Sequence, residues 1–177
     1  MATRLLRLIG VLLACLVLAA TPALAQSQAN AAMVDALGQG GFPQREAAIA
    51  TLVATGDARV VPILQALSDG NLYTRISDGK VVIAAKAGSA FALKGPLDGS
   101  ELGTAAAGDL DKIKINNGLR GKIRTAIGQM TLLSTDRATR LSAAQSILKT
   151  ADPTTFELLQ TALAAETDPQ IKSVMEL

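Results

Sequence analysis

Two carboxylate pairs, Asp98 with Glu101 and Asp109 with Asp111, are the groups whose type and spacing could do chemistry. Paired acids can exchange a proton as general acid and base, or share an oxygen-seeking cation such as Ca²⁺. Neither pair sits in an EF-hand pattern or beside a nucleophile, and loop solubility accounts for both. The chain has no histidine and a single cysteine, Cys15. That removes the Ser-His and Cys-His nucleophile pairs and the usual zinc and copper ligand sets. The sequence therefore predicts no catalytic residue, no cofactor site and no metal site, and the protein reads as non-enzymatic.

The second chemically suggestive stretch is "DKIKINNGLRGKIRTA", residues 111 to 126, with five cations and no aromatic ring. Nucleic-acid binding calls for net positive charge and, for single strands, stacking aromatics. The whole chain carries 17 Lys+Arg against 15 Asp+Glu, and two of those cations, Arg4 and Arg7, lie near its start. They precede an apolar run, Leu8 to Ala20, and then Ala23-Leu24-Ala25. This order reads as a secretory signal peptide over residues 1–25, cleaved between Ala25 and Gln26. A lipoprotein reading of "LLAC" fits less well, because apolar sequence continues past Cys15. Cleavage leaves 15 charges of each sign, so the mature chain is formally neutral and nucleic acid is not the expected partner. It also removes the only thiol, so an exported, periplasmic protein must be held by its core without disulfides.

The elements that must position these residues read mainly as helices. Gln28 to Leu37 is a modest helix stopped by Gly38, Gly40 and Gly41. Pro43 suits the first turn of the next helix, Gly56 ends it, and Asp57 reads as the N-cap of a third. Laying residues 45–65 on 140–160, an offset of 95, matches Arg45 with Arg140, Thr55 with Thr150, Asp57 with Asp152 and Leu64 with Leu159. A unit used twice in this way is similar to HEAT-type α-repeats. In such repeats an arginine at this place braces the neighbouring unit, which is the reading given to Arg45 and Arg140. Asp152-Pro153 and Asp168-Pro169 each place a capping acid before a first-turn proline.

Between the units, "LYTRISDGKVVIAA" alternates about Ser77-Asp78-Gly79-Lys80, a hairpin signal. The Gly/Ala-rich stretch after it reads as an irregular or mobile loop, and Lys112 to Ile115 as a third short strand. Asn116 or Asn117 then caps a helix whose stripe is Leu119, Ile123, Ile127 and Met130, with Arg120, Lys122 and Arg124 on a solvated face. The expected architecture is mainly α: HEAT-like helix pairs at 26–70 and 116–177, with a small β-hairpin and loop insert at 71–115. The last helix, with Ile171, Val174 and Met175 on one face, has no C-terminal cap before Leu177, so the sequence reads as a fragment or shortened form of something longer.

Three stretches carry a family resemblance: Asn116-Asn117 with Leu119-Arg120, the segment Arg140 to Ala144, and "AAETDP" at 164–169, which contains Glu166 and Asp168. Together they resemble the N-terminal extracytoplasmic segment of urea ABC-transporter permeases, in the branched-chain amino-acid permease group. The resemblance spans nearly the whole mature chain. It implies a place in urea or short-amide transport, with a permease membrane domain, a partner permease or a periplasmic substrate-binding protein as partners. The membrane domain has no counterpart in this sequence. A free-standing periplasmic adaptor with a helical-repeat surface is the alternative, and the uncapped last helix weighs against it.

Overall fold

The structure, a computed structural model, describes the backbone of residues 21–150 and 156–176 and the side chains of 28–149 and 156–176. Ala23, Ala25 and Gln26 lie on the first described helix, while their side chains, the apolar run before them and Asp152 fall outside the described residues.

Three helices open the described residues: α1 (Thr21–Asp35), α2 (Phe42–Ala54) and α3 (Val60–Asp69). Glycine breaks set their limits. Gly56 and Gly70 take φ of 65° and 73°, a left-handed conformation that stops a helix cheaply only without a Cβ. A sheet follows, built from β1 (Leu72–Arg75), β2 (Val81–Ala87), β3 (Ala90–Lys94), β4 (Glu101–Ala105) and β5 (Leu110–Lys112). Four more helices close the chain: α4 (Asn117–Leu132), α5 (Arg137–Thr150), α6 (Phe156–Ala165) and α7 (Pro169–Met175).

The expectation of a mainly α, HEAT-like repeat fold is overturned. The protein is mixed α/β, with a five-stranded antiparallel sheet in the order β4-β3-β2-β1-β5. The hairpin at Ser77–Lys80 is present as β1 and β2, with Tyr73 opposite Val82. It is only two strands of five. The Gly/Ala-rich stretch read as a loop is β3 and β4, paired through Phe91 and Ala105 and carrying a bulge between Ala92 and Lys94. The strand expected at Lys112 to Ile115 lies earlier, at Leu110 to Lys112, where it pairs with β1. The sequence signal failed at β4 because no residue in it is buried. A strand with no buried side has no hydrophobic period to read.

This sheet is curled. Its edge strands β4 and β5 are joined by the step from Ala105 to Leu110, which spans at most about 18 Å fully extended. Four strand spacings in a flat sheet come to about 19 Å. The sheet bends to close that gap and encloses its own small core of Val82, Ala84, Leu93 and Leu110, with Tyr73, Phe91 and Ala105 beside them. Tyr73 and Phe91 meet tilted, with ring centroids 5.5 Å apart. Alternate residues on the opposite side, Leu72 and Val81, join the main core with Leu37, Leu52, Ile63, Leu64, Leu67 and Ile123. A third cluster, Leu132, Ala144, Leu158, Ala162, Ile171 and Met175, holds the C-terminal helices.

The helices themselves repeat. α5 starts 95 residues after α2 (137 − 42), and α4 and α6 end 97 and 96 residues after α1 and α3 (132 − 35, 165 − 69). The offset seen in the sequence thus relates three helices to three. The sheet occupies the connection between the two sets.

Candidate functional site

The arginines matched at that offset hold equivalent joints. Arg45 is buried at 7% exposure. Its Nε donates to Leu37 O at 2.8 Å, Nη1 to Lys114 O at 2.8 Å and Nη2 to Gly40 O at 3.3 Å. Burial lowers its pKa from the ordinary arginine value, and the charge of Asp111 opposes that shift. In the second set, Arg140 Nη1 donates to Ser134 O at 2.9 Å and Thr135 O at 3.2 Å. Thr135 lies 95 residues after Gly40, as Arg140 does after Arg45.

Each arginine also reaches the segment entering the second helix after its own, two residues before that helix's N-cap. Arg45 takes the Lys114 carbonyl ahead of Asn116. Arg140 takes the Glu166 carboxylate ahead of Asp168, through Nε at 2.7 Å and Nη2 at 3.2 Å. Glu166 is buried and also accepts from the Thr167 and Asp168 amides, each at 2.9 Å. The Arg140 guanidinium, then the Asp168 amide, hold its carboxyl at about 2 against an ordinary 4.5. A carboxylate so fully engaged is a structural anion rather than a proton carrier.

The caps follow the same logic. Asn116 accepts from Leu119 N at 2.8 Å and starts α4; its neighbour Asn117 is the first helical residue. Asp168 accepts from Gln170 N and Ile171 N and starts α7, while Arg137 donates to it at 2.7 Å. Asp57 departs from expectation. It is not the N-cap of α3, which begins at Val60 after an additional turn. Its carboxylate instead accepts from Arg59 N and the Arg59 side chain, and from Asn30 Nδ2 at 3.3 Å.

The basic face of α4 is exposed and tied down. Arg120 donates to Ser68 O, and Lys122 pairs with Glu46. These contacts staple α4 to the first helical set. The acid pairs noted in the sequence divide between separate tasks. Asp98 Oδ1 caps its own turn, accepting from Ser100 N at 3.1 Å and Ser100 Oγ at 2.9 Å. Asp109 accepts from Ala106 N, and Asp111 lies on β5 opposite Thr74. Among the described residues no group of three or more His, Cys, Asp or Glu side chains is placed to hold a metal ion.

Two hollows remain. A groove of about 490 Å³ lies between α4 and α5, lined by Ile127, Gly128, Thr131, Ala138, Ser142 and Ala143. The other hollow, about 320 Å³, lies where α1 meets the sheet and is walled by Asp35, Arg59, Lys80, Asp98, Val34 and Leu97. Sequence reading missed this one, because its charges come from four places far apart in the chain and no local spacing links them.

Compared with known proteins, the chain matches no family model, no curated protein and no solved structure. Among the described residues no helix is long and apolar enough to cross a membrane.

Proposed function

We propose that this protein is an exported interaction module of a urea or short-amide uptake system of the ABC-transporter type. It acts by docking a permease membrane domain, a partner permease or a periplasmic substrate-binding protein. The observation that carries this reading is what the residues of the sequence resemblance do. Asn116, Leu119, Arg120, Arg140, Glu166 and Asp168 cap, brace and staple helices. A module that presents a surface needs residues in such roles. Export places the protein on the side of the membrane where such a system meets its solute.

Uptake of labelled urea by a strain lacking the gene tests the reading. The expected result is reduced uptake, restored by the wild-type gene supplied in trans. Uptake equal to the parent strain, with the other transport components intact, would refute it.

A further inference from the structure

The hollow between α1 and the sheet holds charges of both signs. Asp35 closes α1, Arg59 precedes α3, Lys80 leads into β2, and Asp98 sits in the β3–β4 turn. These positions are set by bonds that hold the two layers together. Asp35 Oδ1 accepts from Val81 N at 2.9 Å, and Lys80 Nζ donates to Asp35 Oδ2 at 2.7 Å. Arg59 spends Nε and Nη2 on Asp57, and Asp98 spends Oδ1 on Ser100.

Capacity is left over on both sides. Among the described residues the Arg59 Nη1 group donates to nothing and Asp98 Oδ2 accepts from nothing. Lys80 has two further N–H groups beyond its single bond. Val34 and Leu97 supply apolar wall between these groups. A volume of about 320 Å³ lies in the range of small-molecule sites, which favour the seams between structural layers.

We infer that this hollow binds a small zwitterion, with its anionic group on Arg59 and Lys80 and its ammonium on Asp98, assisted by Asp35. A lone anion would leave Asp98, whose only partner among the described residues is Ser100, facing it unrelieved, and a lone cation would meet Arg59 and Lys80. A molecule with both charges and a short aliphatic link meets every wall. This site is independent of the docking role proposed above.

Isothermal titration of the full-length protein with β-alanine and with taurine tests the inference, against acetate, ethylammonium and urea as controls. Arg59→Gln and Asp98→Asn are the variants. Arg59 is half exposed, and asparagine keeps the Oδ1 that caps the turn, so both variants are expected to melt like the parent. The expected result is saturable binding of a zwitterion but of no control, weakened about tenfold or more by each variant. No saturable binding of either zwitterion, equal binding of acetate, or binding that either variant leaves unchanged would overturn it.

Discussion

Replacing Arg45 with methionine removes the guanidinium and keeps the aliphatic stem, so it isolates the three bonds to Leu37 O, Lys114 O and Gly40 O. Bonds from a charged donor contribute about 1.5–3 kcal/mol each, but only where water cannot replace them. Of the three, the bond to Leu37 O is buried, and the other two carbonyls are partly open to water. Counting the buried bond in full and the others at a fraction gives a loss of about 3 kcal/mol. For a domain of this size that lowers the melting temperature by roughly 6–12 °C. Arg45→Lys, whose ammonium can reach fewer of these carbonyls in one geometry, should lose about half as much. Urea denaturation followed by helical circular dichroism and by the fluorescence of Tyr73, the only tyrosine, measures both. The midpoint should fall without a change in slope. A loss below about 1 kcal/mol for Arg45→Met would mean water satisfies these carbonyls, and the joint would not hold the helices as described.

The C-terminal joint should show itself through pH. The carboxyl of Glu166 is depressed in the folded protein to about 2 from 4.5, so its contribution is fully present above 4.5 and is lost as pH falls toward 2. Melting curves should therefore show wild type more stable than Glu166→Gln at neutral pH and the two converging near pH 2; a gap independent of pH would contradict the pairing with Arg140. Glycines on α4 give a matched test: at Gly121 a Cβ meets nothing within 4 Å, whereas at Gly128 it meets Leu158 Cδ2 at 2.7 Å. Gly121→Ala should stabilise by about 1 kcal/mol through helix propensity, and Gly128→Ala should gain less because Leu158 must move; equal gains would count against the close packing of α4 on α6.

The parts of the fold legible in the sequence were those written in short-range chemistry. The stripe Leu119, Ile123, Ile127 and Met130 packs against the main core, and Asn116 caps α4. The bracing role read for Arg45 and Arg140 rested on a match of spacing, and the contacts now seen are to carbonyls and a carboxylate. What stayed hidden was the extent of the sheet. β3 (AFALK) and β4 (ELGTA) contain no β-branched residue but Thr104, with Leu93 the one buried residue of the pair. Their pairing is fixed by the hairpin before them and by the curl that brings Ala105 toward Leu110, neither of which leaves a local period. Asp57 falls outside α3 for a related reason: two turn residues, Ala58 and Arg59, intervene before Val60, and Asp-x-Arg reads the same whether the acid caps a helix or its own turn. The charged hollow was out of reach of any local reading, since Asp35, Arg59, Lys80 and Asp98 meet only once the sheet docks on α1.

The claim that this protein is an exported partner of a solute-uptake system is tested most directly by locating the native product and what it touches. Cells expressing the tagged gene from its own locus would be cross-linked, separated into periplasmic and membrane fractions, and the tagged adducts identified. The account predicts a product on the periplasmic side, cross-linked to a permease or to a periplasmic binding protein. A cytoplasmic product, or a periplasmic one with adducts that include neither, would contradict it.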